Sequence, residues 1–387
     1  MKILLISHEK NLYGASQSLL NIIDELSSRH EFIVLSKTKD GTFQDEVRKR
    51  GVRLINVPYY VWERNRDNHA KWVLFRVTWI LFGNLLNYIS SYRVKKRLLN
   101  EHIDIIHCNT SVISIGRQLK KVLHAPLIWH IREFGKEDFG LYPLVSERSF
   151  YKGLNEADGI IFISKAIQKK YSRFLNKPIK RLIYNGVNGD NIILEKKYHE
   201  ENNEKVRILI AGKLTVGKGQ TVAINAANIL YQRGHDDFEL LIAGKGELRD
   251  IGISKVDSRY IQPLGQIRDM ASLRKTVDLE LVCSKSEGFG RVTIEAMMGK
   301  IPVIGSNSGG TPELIKDGYN GFLYEYGNAN ELADKIEIFL NNRSLLKCMG
   351  NNAFDFAKEY FLIRRCASEI EDFYFYILDR TDNGIGD

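Results

Sequence analysis

Two glutamates, Glu287 and Glu295, bracket a glycine turn, Gly288-Phe289-Gly290, in the stretch Ser284-Lys-Ser-Glu-Gly-Phe-Gly-Arg-Val-Thr-Ile-Glu295. The glycines carry no side chains, so a ligand can approach the backbone closely. Before the turn lies an apolar run of strand length, Leu279 to Cys283, broken only by Glu280. After it, Ile294, Met297 and Met298 fit one face of a short helix that stops at Gly299, and a second apolar run follows at Ile301 to Ile304. Strand, glycine turn, helix and strand make one turn of an α/β fold, with the loop at the carboxyl end of a strand, where such sheets bind ligands. The helix start offers unpaired N–H groups and a positive dipole end, which favours phosphate. Carboxylates beside phosphate are repelled unless they accept hydrogen bonds, and sugar hydroxyls are suitable donors. Glu287 on the loop and Glu295, about two turns further on, would address different parts of one ligand. The chemistry is that of a phosphorylated sugar.

Other loops fit the same kind of site. Val206 to Ala211 reads as a strand and runs into Gly212-Lys213-Leu-Thr-Val-Gly217-Lys218-Gly219. Two lysines at a helix start neutralise a diphosphate and help it leave. Their spacing is not that of a Walker loop, which argues against a nucleoside triphosphatase. At the amino terminus, Met1 to Ile6 reads as a buried strand followed by a loop with Gly14 and Ala15 and then an apolar-periodic helix, Leu19 to Leu26. The loop lacks G-x-G-x-x-G, so a nicotinamide or flavin site is poorly supported, and Ser16 is explained as well by a plain helix start. Two further strands end in polar residues, His107-Cys-Asn109 and His130-Ile-Arg132-Glu133. His130 and Arg132 are the best site candidates of this half. For His107 and Asn109 a structural role is the better reading, while Asp138, in the loop 135–142, could reach an acceptor. Ser164 is accounted for as a helix cap.

Glu287-Gly-Phe-Gly290, then Glu295, Gly299-Lys-Ile-Pro-Val-Ile304, Gly309-Gly-Thr-Pro-Glu313 and Asp317-Gly-Tyr-Asn-Gly321 follow one another in order. This series resembles the donor-site signature of glycosyltransferase family 4, closely over the carboxyl-terminal half and loosely over the amino-terminal half. The resemblance implies an α/β chain of the GT-B class: two Rossmann-like domains facing across a cleft, with the last helix crossing back to the first domain. The expected bounds are 1–189 for an acceptor-side domain, 190–204 for a linker, 205–363 for the nucleotide-sugar domain and 364–387 for the crossover helix and tail. It also implies transfer with retention of anomeric configuration, with neither metal nor cofactor. Glu287 would bind the sugar and Glu295 the ribose. Lys218 and Lys213, where the family more often has arginine, would contact the diphosphate. Gly288, Phe289 and Gly290 would complete the donor loop, and Gln266 and Ile267 would lie at the nucleobase. Gly14 and Ala15, the latter where a second glycine is frequent, would approach the donor phosphates. By the same resemblance His130 approaches the donor sugar, so the catalytic set is Glu287, His130 and Lys218, with Arg132, Asp138 and Asn109 on the acceptor side.

The whole chain is consistent with this. Its 387 residues suit two domains, and an apolar fraction of 44% can fill two cores. The net charge of +9 suits an anionic partner, such as a nucleotide or a membrane surface. No recognition motif accompanies the charge, which argues against nucleic acid. The four cysteines show no metal or redox spacing, and Met1 to Ile6 is too short for an export signal, so a cytoplasmic protein is expected. The segment 59–99 stands apart, with Trp62, Trp72, Phe75, Trp79, Phe82 and Tyr88 among Arg64, Arg66, Lys71, Arg76, Arg93, Lys95, Lys96 and Arg97. Its apolar part is too short and polar to span a bilayer. It reads equally as an interfacial helix on an anionic membrane or as a helix packed on the sheet with a solvated basic end. The resemblance tilts toward membrane contact, at the inner face, with a polyprenyl-diphosphate-linked acceptor glycan. The expected function is transfer from a nucleotide-diphosphate-sugar in the synthesis of a bacterial surface polysaccharide, whether capsule, O-antigen or exopolysaccharide. The alternatives are a non-catalytic GT-B partner subunit and a nucleotide-sugar epimerase or phosphorylase.

Overall fold

The computed structural model describes residues 1–65, 69–99, 101–144, 146–189 and 204–382, with no side-chain description at 64–79 and 382. The chain divides into two compact units, Met1–Gly186 with Ile363–Asp387, and Val187–Leu362. The segment 190–203, most of the expected linker, lies outside the described residues.

The first unit is built on a seven-stranded sheet. Its strands are β1 (Lys2–Ser7), β2 (Glu31–Ser36), β3 (Arg53–Asn56), β5 (Ile105–Cys108), β6 (Leu127–Ile131), β8 (Gly159–Phe162) and β9 (Ile179–Leu182), in the order β3-β2-β1-β5-β6-β8-β9. Two short strands, β4 (Glu63–Asn65) and β7 (Leu141–Pro143), pair antiparallel beside it. Every pairing within the main sheet is parallel. Strands such as Ile3-Leu4-Leu5-Ile6 are apolar throughout because helices cover both faces, so neither face needs polar residues. The last helix, Ile363–Asp382, belongs to this unit and packs Ile363, Ile370, Phe373 and Ile377 into its core.

The second unit carries a six-stranded parallel sheet. It comprises β10 (Val206–Ala211), β11 (Phe238–Ala243), β12 (Ile261–Gly265), β13 (Leu279–Val282), β14 (Val303–Ser306) and β15 (Gly321–Tyr324), in the order β12-β11-β10-β13-β14-β15. The sheet is built outward from β10 in both directions, so β10 and β13 flank the point where the strand order reverses. The loops after these two strands therefore diverge and leave a crevice at their carboxyl ends. In the first unit β1 and β5 flank the corresponding point.

Within the segment 59–99, β4 is followed by the helix His69–Arg97. Trp72 and Trp79, on which the sequence argument leaned, lie outside the described side chains. From residue 80 onward the helix both packs inward and exposes an outer face. Among the described residues, no helix is long and apolar enough to cross a membrane.

Candidate active site

The reversal point of the second unit brings together the two loops singled out from the sequence. After β10 the chain runs through Lys213, exposed, to Lys218, half-buried, ahead of the helix Gln220–Gln232. After β13 it runs through Glu287 and Gly290 to the helix Arg291–Met298. Lys218 Nζ donates to Glu287 Oε2 at 2.7 Å. Backbone contacts hold the two loops in place. Lys285 N donates to Gly217 O at 2.9 Å, and Gly310 N donates to Glu287 O at 2.7 Å. Two glycines are required by close approach. A Cβ on Gly219, whose φ is +74°, would fall 2.1 Å from Cys283 O, and one on Gly309 would fall 2.7 Å from the Glu287 backbone. Gly309 and Gly310 thus act on Glu287 from behind its loop. Beneath the ion pair a small recess is lined by Ile210, Ala211, Val282, Ser284 and Gly290.

Glu295 belongs to a different network. It accepts from Arg274 Nη1 at 2.9 Å and from Arg291 Nη2 at 3.4 Å. Arg274 is buried and holds Glu280 in a two-point fork, Nε to Oε2 at 2.9 Å and Nη2 to Oε1 at 3.0 Å. Glu280 sits inside β13 between β10 and β14 and is wholly buried. Burial works against the charge of Arg274, but the two carboxylates outweigh it and hold its pKa above the ordinary arginine value. Glu287 and Glu295 are therefore set by separate cations. The ring of Phe289 is buried and meets Phe361 edge-on at 5.7 Å, so any contact from this residue to a ligand is through its backbone. Gln266 is exposed and Ile267 half-buried, immediately after Gly265. Gly265 closes a second recess with Leu214, Gly244, Leu248 and Pro263 at the ends of β11 and β12.

In the first unit Arg132 joins several strand ends. Its Nε donates to Asn109 Oδ1 at 2.9 Å, its Nη1 to Asn185 Oδ1 at 2.5 Å and its Nη2 to His130 Nδ1 at 3.1 Å. Asn109 Nδ2 in turn donates to Ala15 O at 3.0 Å, tying in the start of the helix Gly14–Leu26. Four of the sequence candidates, Ala15, Asn109, His130 and Arg132, thus share one hydrogen-bonded assembly, with Gly14 next to it in the chain. Asn185, Tyr374 and His107 complete it. Asn185 and Tyr374 were not among the sequence candidates, and His107 has the structural role expected of it, supporting His130.

The proton positions follow from the donors. Arginine can only donate, so His130 Nδ1 is an acceptor. His107 Nε2, 3.3 Å from the same nitrogen, then carries a proton, and His107 Nδ1 accepts from Tyr374 OH at 2.5 Å. The proton of His130 is left on Nε2, which is buried and has no hydrogen-bond partner. Both rings are neutral. Burial, with the nearby Arg132 charge, depresses His107 to about 3 and His130 well below the ordinary histidine value. Burial and Arg132 thus favour a neutral His130 with its N–H at Nε2.

A buried acidic group beside this assembly was not evident from sequence. Ser111 Oγ lies 2.8 Å from Glu63 Oε2 and 2.7 Å from Glu133 Oε1, and Ser111 N donates to the latter at 2.7 Å. One hydroxyl hydrogen cannot serve both carboxylates, so one of them carries a proton. Burial raises Glu133 to about 8, helped by the charges of Glu63 and Asp138, and raises Glu63 to about 7, helped by that of Asp138. Asp138 accepts from Phe134 N at 2.7 Å, and burial raises it to about 6. Ser164 caps its helix as expected, accepting from Ile167 N at 3.2 Å.

Two parallel-sheet α/β units of this topology are the fold of the GT-B class. The model for glycosyltransferase family 4 matches residues 13–191, and that for glycosyl transferases group 1 matches residues 191–356. An uncharacterised glycosyltransferase of Methanocaldococcus jannaschii is 31% identical over 289 residues, covering 72% of this chain and 78% of its own. The chain belongs to glycosyltransferase family 4. It is also similar to an α-1,4-N-acetyl-D-galactosaminyltransferase of Campylobacter jejuni, named for a diphosphoundecaprenol-linked saccharide. That relative is 24% identical over 369 residues, covering 93% of this chain and 94% of its own. The solved structure of Anabaena HepE in complex with UDP-glucose superimposes with a TM-score of 0.74 at 21% identity, over 96% of this chain and 98% of that one.

Proposed function

We propose that this glycosyltransferase moves a sugar from a nucleotide-diphosphate-sugar to an acceptor hydroxyl with retention of configuration. The observation that carries the reading is the Lys218–Glu287 pair at 2.7 Å, at the carboxyl ends of β10 and β13 and beside the start of the helix Arg291–Met298. With no ligand, the pair neutralises itself. A diphosphate would take over Lys218, with Lys213 and the helix amides sharing the charge, so the reading requires no metal. Glu287, released, would accept a hydrogen bond from a sugar hydroxyl, and Glu295 would accept from the ribose. Same-face attack by the acceptor oxygen forms the new bond to the anomeric carbon as the bond to the diphosphate breaks. The departing phosphate oxygen takes the acceptor proton. Glu287 then positions and stabilises the sugar and is not a nucleophile. The neutral Nε2–H of His130 suits a sugar hydroxyl or ring oxygen. The Campylobacter relative's acceptor supports a polyprenyl-diphosphate-linked glycan as acceptor, and with it a place in surface-polysaccharide synthesis at the inner face of the membrane.

Calorimetric titration of uridine, guanosine, adenosine and thymidine diphosphates into wild type and Lys218→Ala tests the reading. Selective binding of one, weakened by the substitution, supports it and fixes the donor class. Binding of none removes a competent donor pocket and leaves a non-catalytic family member.

A further inference from the structure

Ser111, Glu133 and Glu63 come from three different elements: Ser111 follows β5, Glu133 follows β6 and Glu63 opens β4. All three are buried. Glu133 is tied to Ser111 at two points, the backbone N–H and the hydroxyl, both at 2.7 Å. Glu63 meets Ser111 at one point, the hydroxyl, at 2.8 Å. Its other oxygen faces the turn after β6, where a Cβ on Gly135 would fall 3.3 Å from Glu63 Oε1. Through the pairing of β4 with β7, Glu63 also stands opposite Pro143. One side chain thus joins the loop after β5 to the segment 133–143. A single proton decides whether these contacts coexist. The Ser111 hydroxyl has one hydrogen and donates to one carboxyl. The other carboxyl must carry a hydrogen of its own, or its oxygen would face the lone pairs of the hydroxyl at bonding distance.

The groups around this one keep the proton in place. Asp138, in the short helix Lys136–Phe139, adds a third carboxylate, whose Oδ1 is buried without a hydrogen-bond partner. Lys170, in the helix Lys165–Ser172, acts on Glu63 and Asp138 as a cation, but its Nζ is bonded to Phe134 O and to Glu137. Tyr171 of that helix and Tyr151 of the helix Glu147–Leu154 face Glu63 as neutral phenols. We propose that Glu63, Ser111 and Glu133 form a one-proton clamp in which Glu63 is a positioning residue for β4 and the segment 133–143. With the proton in place, both are held against the ends of β5 and β6, next to Asn109 and Arg132. When solvent base removes it, Glu133 keeps its two ties to Ser111, and Glu63, held at one point, lets go. The clamp deepens the reading above by making the acceptor side of the first unit responsive to pH, and only the word acceptor rests on that reading. Its test needs no sugar, nucleotide or acceptor, so the two can fail separately.

A reporter lies beside the clamp. Trp62, the neighbour of Glu63, donates from Nε1 to Ser111 O at 2.5 Å and stacks on Trp129 of β6, with ring centroids 5.6 Å apart and planes at 19°. A Trp72→Phe/Trp79→Phe background leaves these two as the sole tryptophans of the sequence. The exciton circular dichroism of the stacked pair is followed against pH in that background. A one-proton change is expected, complete by about pH 8, where the higher of the two carboxyls is placed. Glu63→Gln offers the hydroxyl an N–H at every pH, so it should hold the low-pH signal throughout. Glu63→Ala should show the high-pH signal throughout. Hydrogen exchange of the unaltered chain asks the same question without a variant. The amides of Trp62 and Leu144 bond Val112 O and Trp62 O. Corrected for base catalysis, their protection should fall about tenfold per pH unit from about pH 6 to 7, since opening releases one proton. The amides of Leu127–Ile131 should keep theirs. Absence of pH dependence in both signals of the unsubstituted clamp overturns the proposal, as does the same dependence in Glu63→Gln. Equal loss of protection at Leu127–Ile131 also overturns it, because the whole sheet would then be loosening.

Discussion

Replacing Arg274 by methionine removes the guanidinium that forks onto Glu280 at 2.9 and 3.0 Å, from a carboxylate inside β13 that has no exposure to water. Breaking a buried pair from one side costs about 3–5 kcal/mol, because the remaining charge keeps its desolvation penalty. Glu280→Leu should cost less, about 1–3 kcal/mol, since Arg274 keeps Glu295 at 2.9 Å. The double variant removes both charges and fills the space with apolar atoms, so it should return to within about 1 kcal/mol of wild type. The double-mutant cycle then gives a coupling of about 3 kcal/mol or more, at the top of the range for neighbouring groups. Urea unfolding followed by circular dichroism measures all four proteins. A second readout separates stability from function. In the double variant Glu295 retains Arg291 at 3.4 Å but loses its shorter bond. On the proposed ribose role, nucleotide affinity should fall roughly tenfold although the fold is restored. A coupling below about 1 kcal/mol would refute the idea of an interdependent buried pair. Unchanged affinity in the double variant would refute the idea that Arg274 sets Glu295.

Glu287→Ala should lower turnover by at least about a hundredfold while nucleotide affinity changes little; equal losses in both would sink its assignment to the sugar. Tyr374→Phe removes the donor that fixes His107, and through it the Nε2–H of His130. Turnover should drop roughly two- to tenfold with the melting temperature nearly unchanged, and a drop in melting temperature alone would make the chain of rings purely structural. Glu133 and Glu63 have folded pKa values raised to about 8 and about 7, so the folded state holds protons that the unfolded state releases. Their contribution is complete below the ordinary carboxyl range and is lost as pH rises through 7 and 8. The depressed His107 and His130 act oppositely, but only below about 6.5. Between pH 6.5 and 8 the stability of wild type should therefore fall by about 1 kcal/mol per pH unit. Glu133→Gln should flatten that slope, and an unchanged slope would show that Glu133 is ionised in the folded state.

The meeting of the two loops in the second unit was legible because their residues are local. Glu287, the turn glycines and the following helix lie within one strand–loop–helix, and Lys218 ends the matching loop of the neighbouring strand. Pattern alone could pair them, since parallel sheets present such loops together. Glu280 was legible only as an interruption of an apolar run. Its partner Arg274 lies six residues upstream, but which side chains face each other depends on how the connection turns, and periodicity does not encode that. Phe289, read as part of the donor loop, has its ring in the core, since an aromatic beside glycines looks the same whether it faces a ligand or a neighbouring helix. The histidine assembly was least accessible. Tyr374 is 267 residues from His107 in the chain, and nothing near either residue signals the other. The exposed outer face of the helix His69–Arg97 at residues 81–92 was equally hidden. The helix has apolar residues on more than one face, and the packing of Gly83, Asn87, Ser90, Ser91 and Val94 decides which face is turned inward.

The return of the last helix to the first unit bears on how the protein is made. Ile363, Ile370, Phe373 and Ile377 fill a core whose other walls are Ile3, Leu19, Ile105 and Ile161. During vectorial synthesis those walls leave the ribosome first and stay open while the whole of Val187–Leu362 is produced. The second unit, contiguous in sequence, can complete its core on emergence. The first can close only once the helix Ile363–Asp382 has emerged. An expressed fragment ending at Leu362 would present an unsealed apolar groove, whereas residues 187–362 alone are the piece suited to independent production. A chain that stalls late in translation would therefore be one for chaperones to hold.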